Sequence, residues 1–165
     1  MKQAIIVFYS YSGNTLKASR LLQKELDAVS YQTQLLRLEP LDESASFFKQ
    51  CARAFLKKQA RLKEDVTLEL AEYDLVAFGT PVWAFCMAPA LRTYLTKCTK
   101  LTNKKAILFV TCGSGLGVGR CIQEMVSIAE NKGAADTRSF LIPQSDVNNQ
   151  EKAAEPIKES LKQWV

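Results

Sequence analysis

The apolar run Ala4-Ile5-Ile6-Val7-Phe8-Tyr9 passes directly into Ser10-Tyr11-Ser12-Gly13-Asn14-Thr15, and beyond that Leu16, Arg20, Leu21, Leu22 and Leu26 recur at helical spacing. This is the order of a strand, a tight hydroxyl-rich turn and a helix N-terminus. Such a turn aims unpaired main-chain N–H groups, hydroxyls and the positive end of a helix dipole at one point, which is what a phosphate needs. It lacks the lysine of a GxxxxGK[ST] loop and the three glycines of a GxGxxG fingerprint, so neither a nucleoside triphosphate loop nor a dinucleotide fingerprint is present. With no cation inside the turn, binding would rest on the hydroxyls of Ser10, Ser12 and Thr15, the Asn14 amide and successive main-chain N–H groups. Gly13 supplies the backbone freedom for close approach. Taken alone, the hexapeptide is also compatible with an ordinary strand-to-helix turn capped by Ser12 or Asn14.

Working outward, short apolar runs alternate with longer amphipathic stretches. The pattern predicts strands at Gln3 to Tyr9, Gln32 to Leu38, Asp74 to Thr80, Lys105 to Thr111 and Thr137 to Ile142. IIVFY, DLVAFGT and AILFVT are near-continuously apolar, as parallel strands covered on both faces are. Helices are predicted at Thr15 to Ala28, within Ser46 to Lys63, at Pro89 to Cys98, at Val118 to Asn131 and in the C-terminal stretch to Trp164. Gly133 is a helix stop, and Pro156 implies that the last helix starts late or kinks. Five strands alternating with helices through right-handed crossovers give a single-domain, doubly wound, three-layer α/β sandwich with a parallel sheet. Strand order 2-1-3-4-5 suits five strands better than the six of a dinucleotide fold, and its ligand crevice opens at the carboxyl ends of strands one and three.

Three stretches fall at strand carboxyl ends: Ser10 to Thr15, Gly79-Thr80-Pro81-Val82-Trp83-Ala84, and Thr111-Cys112-Gly113-Ser114-Gly115-Leu116-Gly117. Together with the helix pattern AP-x-LR-x-YL that follows the second, they resemble the flavodoxin-like family of FMN proteins, in particular its short single-domain members. The resemblance covers nearly the whole chain and implies a flavodoxin-like fold with FMN as cofactor. It implies that Ser10, Tyr11, Ser12, Gly13, Asn14 and Thr15 hold the FMN phosphate. Thr80, Pro81, Val82, Trp83 and Ala84 would flank the isoalloxazine ring, with Trp83 as stacking face and Thr80 to Val82 beside its N5 edge. Thr111, Cys112, Gly113 and Gly115 would border its pyrimidine edge. Phe85-Cys86-Met87 is bulkier than the small, glycine-containing segment expected there, which would narrow or partly close the ring pocket.

Composition bounds the chemistry. The 165 residues, 47% hydrophobic and 24% charged, suit one well-buried domain. The N-terminal apolar run is too short and too quickly polar for a signal segment, and no stretch approaches the roughly 20 apolar residues of a membrane span. A soluble, cytoplasmic protein is expected. The five cysteines, Cys51, Cys86, Cys98, Cys112 and Cys121, include no CxxC pair, which argues against a disulfide framework or a zinc site. They read as small buried hydrophobes, with Cys86 and Cys112 in flavin-adjacent loops as candidates for thiol redox chemistry. There is no histidine, so a Ser-His-Asp triad and the usual general base are absent, and no catalytic residue is assigned.

The net charge of +5 comes partly from Lys49, Arg53, Lys57, Lys58, Arg61 and Lys63. On one helix, Lys49, Arg53, Lys57 and Arg61 would form a basic stripe opposite Phe48, Phe55 and Leu62, either a solvated face or a dock for an acidic redox partner or the phosphates of a nicotinamide cofactor. Nucleic acid is disfavoured, because no aromatic interleaving or reader module accompanies the charge. The leading expectation is an FMN-binding redox protein passing electrons from a reductase or NAD(P)H to an acceptor. The alternatives are an FMN-dependent NAD(P)H oxidoreductase acting on a quinone or other small molecule, and a flavin-free interaction module retaining the fold.

Overall fold

The computed structural model describes residues 1–162 and 164. Strand β1 (Lys2–Phe8) is central and wholly buried from Ala4 onward. Its alternate residues feed two cores. Ile5 and Val7 face one cluster with Phe78, Leu91, Tyr94 and Met125, while Ala4, Ile6 and Phe8 face another with Leu22, Leu26 and Ile157. This two-sided burial is why the strand reads as a continuous apolar run rather than an alternating one.

In chain order the elements are β1, α1 (Asn14–Ala28), β2 (Tyr31–Arg37), α2 (Phe47–Phe55), β3 (Leu75–Trp83), β4 (Cys86–Met87), α3 (Pro89–Lys97), β5 (Lys105–Cys112), α4 (Val118–Asn131), β6 (Asp136–Pro143) and α5 (Gln150–Leu161). The sheet order is β2-β1-β3-β5-β6, with β4 paired only to β3. Apart from that short antiparallel excursion all pairings are parallel, with Phe8 level with Gly79, and Gly79 with Phe109. Counting only the parallel strands, this is the expected order 2-1-3-4-5. Gly79 is required where it sits, because a Cβ there would lie 2.1 Å from the Phe109 ring.

The structure corrects several expectations. Gly79 to Ala84 is not a loop: β3 continues through Trp83 and reverses at Ala84 (φ 46) and Phe85 (φ 66) into β4, where Val82 pairs with Met87 and Trp83 with Cys86. Two successive left-handed residues make the tight turn whose twist suits a two-residue hairpin. The basic segment is not one helix either. Helix α2 ends at Phe55, and Lys57 adopts φ 54, so Lys57 and Arg61 leave the stripe. Phe48 and Phe55 stand out in solvent instead of packing inward. Helix α5 does not start late: it begins at Gln150 and contains Pro156. Burial of Ala153, Ala154, Ile157 and Leu161 holds that helix, and the carbonyl freed by the proline belongs to exposed Lys152, where water can satisfy it. Trp164 lies past the end of α5, where its indole is buried and donates to the Asp136 carboxylate. Among the described residues no helix is long and apolar enough to cross a membrane.

Candidate functional site

The turn between β1 and α1 is organised from within. Gly13, at φ 92, is the helix N-cap and cannot cap with a side chain. The Ser10 hydroxyl turns inward and accepts from the Leu16 N–H at 3.2 Å, and the Asn14 amide donates to the Ser12 hydroxyl at 3.3 Å. The Thr15 and Thr111 hydroxyls meet at 2.9 Å, tying the first turn to the end of β5. Among the described residues none accepts from the main-chain N–H groups of Ser12, Gly13, Asn14 or Thr15. These donors and the positive end of α1 form an anion-binding mouth made of neutral groups.

The second wall is the extension of β3. The Thr80 hydroxyl accepts from the Ala88 N–H and donates to the Pro81 carbonyl, both at 2.9 Å, so it braces the hairpin instead of facing a ligand. Pro81, Val82 and Trp83 then line a cleft with Tyr11, Ser12, Asn14, Thr15, Phe47, Thr111, Cys112, Gly113 and Gln144, enclosing about 390 Å³. Trp83 is only 5% exposed. Its ring is held edge-on by Tyr9, Tyr11 and Phe47, with centroids at 5.4, 5.7 and 5.6 Å. Such edge-to-face packing fixes ring orientation. Tyr11 and Phe47 approach each other at 5.7 Å and are the more exposed members of this corner. Behind it the Tyr9 hydroxyl donates to Glu43. Burial first, and the Glu43 carboxylate second, push the Tyr9 phenol well above its ordinary value, so it stays protonated.

Ten of the predicted residues therefore meet at one cleft: Tyr11, Ser12, Asn14, Thr15, Pro81, Val82, Trp83, Thr111, Cys112 and Gly113. Ser10, Thr80, Ala84 and Gly115 do not line it, and Gly13 contributes only its main-chain N–H to the anion-binding mouth. Phe85, Cys86 and Met87 do not fill it, contrary to expectation. Cys86 and Met87 are buried, and Phe85 rests on Gly117, where a Cβ would come within 2.2 Å of its ring. Sequence reasoning missed Phe47 and Gln144. Gln144 follows the carboxyl end of β6, and its N–H donates to the Cys112 carbonyl at 2.9 Å, so the strand-end rule could have found it. Phe47 arrives only through the path of the long β2–α2 connection, which carries no motif.

All five cysteines are free. Burial, followed by neighbouring Cys86, pushes the Cys121 thiol up to about 12, and burial pushes Cys98 up to about 11. Both stay protonated and act as packing groups. Half of the basic segment is paired: Arg53 with Asp42 at 2.9 Å, Lys57 with Glu124 at 3.2 Å and Lys63 with Glu39 at 2.5 Å.

The donor set fits FMN. One end offers N–H groups and hydroxyls to a phosphate, the other offers apolar and aromatic walls to a flat ring, and the volume falls in the roughly 300–1,000 Å³ range of small-molecule sites. Comparison with known proteins agrees. The structure resembles a Bacteroides uniformis ATCC 8492 protein described as a flavoprotein, at 17% identity and TM-score 0.71, covering 95% of this chain and 98% of that one. It also resembles a flavodoxin from the domain Archaea, at 18% identity and TM-score 0.61 over 97% of both chains. A third likeness is Flavodoxin 1 from Bacillus cereus, at 18% identity and TM-score 0.61, covering 95% of this chain and 98% of that one. These likenesses establish a flavodoxin-like fold. No curated protein matches the sequence. The family described as NADPH-dependent FMN reductase matches residues 4–146, most of the chain, and the protein belongs to that family of FMN-binding redox proteins.

Proposed function

We propose that this protein is an FMN-dependent oxidoreductase that takes electrons from NAD(P)H and passes them to a small flat acceptor of the quinone type. The observation that carries this reading is the shape of the cleft. One side of it is lined by the hydroxyls and N–H groups of the β1–α1 turn, while Tyr11 and Phe47, whose rings touch each other, stay partly exposed at its rim. A flat molecule can lie against them beside the cofactor. Bound FMN supplies the redox chemistry, and the protein holds it, orients it and controls access.

In this reading Ser12, Asn14, Thr15 and the N–H groups of Ser12 to Thr15 hold the phosphate. Pro81, Val82, Thr111, Cys112 and Gly113 border the ring. Tyr11 and Phe47 offer aromatic faces, with Trp83 fixing their orientation from behind. The excess of basic over acidic residues suits anionic NAD(P)H and is the opposite of what docking on a basic protein partner needs.

The test is to reconstitute purified protein with FMN and follow NADPH oxidation with and without a soluble quinone. Sustained oxidation that depends on both FMN and the quinone is the expected result. FMN binding without NADPH oxidation, together with fast reduction by a separate reductase, would replace this reading with an electron carrier. Failure to bind FMN at micromolar concentration would leave an interaction module.

A further inference from the structure

Helix α2 presents an apolar face that no described residue covers. Phe48, Ala52 and Phe55 are spaced i, i+4 and i+7 and so share one side. Phe48 is 86% exposed, Phe55 56% and Leu56 62%, while the opposite side buries Gln50 and Ala54. Single exposed hydrophobic residues are ordinary, but a cluster of this size marks a contact surface.

The charges around the cluster say what kind of surface it meets. Lys49, Lys57 and Lys58 are all exposed. The nearby carboxylates already have partners: Asp42 is held by Arg53, Glu124 by Arg92 and Lys57, and Glu43 by the Tyr9 hydroxyl. Among the described residues neither Lys49 nor Lys58 has an ion-pair partner. A second copy docked on this face about a two-fold axis would bring the same lysines together, which is repulsive. Side chains standing as far out as Phe48 suit a soft medium that closes around them better than a rigid protein surface.

We propose that this face docks reversibly on an anionic lipid bilayer, with Phe48, Phe55 and Leu56 entering the headgroup boundary and Lys49 and Lys58, which have no carboxylate partner among the described residues, meeting lipid phosphates. Aromatic and aliphatic side chains flanked by lysine are the composition of interfacial helices. Each lysine near an anionic leaflet strengthens binding about fivefold. The attachment is peripheral and does not depend on the cofactor reading.

Co-sedimentation of the full chain with vesicles tests the proposal, using phosphatidylcholine alone and phosphatidylcholine mixed equally with phosphatidylglycerol. Binding should appear only with the anionic vesicles and weaken with added salt. The double substitutions Phe48→Ser/Phe55→Ser and Lys49→Glu/Lys58→Glu should each reduce it about tenfold or more without lowering the melting temperature. Binding that ignores the phenylalanine substitutions would mean attraction by charge alone and overturn the proposal. So would binding to poly-glutamate but not to vesicles, which would point to an acidic protein. A dimer in sedimentation equilibrium that Phe48→Ser/Phe55→Ser converts to monomer would assign the face to a second copy.

Discussion

Substituting Gly117 by alanine tests the closest backbone approach near the site. Gly117 caps α4 at φ 77, a region where an L side chain costs about 1–2 kcal/mol. Space is a second obstacle. The added Cβ would meet Phe85 Cδ1 at 2.2 Å, Cα at 2.7 Å and Cβ at 2.8 Å. The ring can swing aside, but the main chain of Phe85 belongs to a turn already constrained by left-handed Ala84 and Phe85. Overpacking of this kind costs about 1–3 kcal/mol, so the total should be about 3 kcal/mol, which at this chain length lowers the melting temperature by roughly 6–12 °C. Urea unfolding of Gly117→Ala, Phe85→Ala and the double variant forms a cycle that isolates the interaction. Removing the Phe85 ring relieves the shortest clash and leaves the clash with the Phe85 main chain and the unfavourable φ, so the double variant should recover about 1 kcal/mol and no more. A loss below about 1 kcal/mol for Gly117→Ala, or purely additive effects in the cycle, would refute the argument that Phe85 and Gly117 are locked together.

Arg92, buried in α3, is held by Glu124 with nitrogen to oxygen distances of 2.5 and 3.2 Å. Glu124→Gln should cost about 3 kcal/mol in urea unfolding, the low end for breaking a buried pair, because the Glu124 side chain keeps 19% exposure. Burial raises the Glu124 carboxyl pKa, but Arg92 and then Lys57 outweigh it, so the folded value lies below 4.5. Its stabilisation is therefore complete above the unfolded value and lost as pH falls through the folded one, and unfolding at pH 7 and at acidic pH should show that difference shrink in Glu124→Gln. In native protein at neutral pH, a thiol reagent should modify half-buried Cys51 first and leave Cys98 and Cys121 unreacted until unfolding; labelling Cys121 as fast as Cys51 would contradict its burial. Phe47→Ala should weaken FMN binding about three- to tenfold, as loss of one aromatic neighbour does, with the melting curve nearly unchanged; unaltered affinity by fluorescence titration would remove Phe47 from the ring site.

Much of this protein was legible in its sequence, for local reasons. The runs IIVFY and AILFVT are apolar without alternation because helices cover both sheet faces, and that property is written in the residues themselves. Gly13 and the hydroxyls after β1 likewise reveal a turn and a helix start through chemistry confined to a few adjacent positions. The corrections came where distant groups compete. The apolar pattern ends the third strand at Thr80, yet Pro81 and Val82 continue it, and Val82 and Trp83 pair with β4. Lys49, Arg53, Lys57 and Arg61 match a helical period, but carboxylates from other segments, Asp42 and Glu124, hold Arg53 and Lys57, and the backbone turns left-handed at Lys57. Pro156 argued for a late start or a kink, and the late start was overridden by burial of Ala153 and Ala154, which holds the turn before it.

The sequence alone determined the layered α/β architecture and the three segments that follow strand carboxyl ends, since hydrophobic period and turn chemistry are carried by neighbouring residues, while the strand order was only the better fit of two known arrangements until the sheet pairings fixed it. Only the tertiary structure decided which of those residues face the cleft. Ser10 and Thr80 turn their hydroxyls to internal partners, Trp83 is enclosed by Tyr9, Tyr11 and Phe47, and Phe47 and Gln144 join the site from segments with no motif. Side-chain direction is set by interactions between positions far apart in the chain, and no local pattern records them.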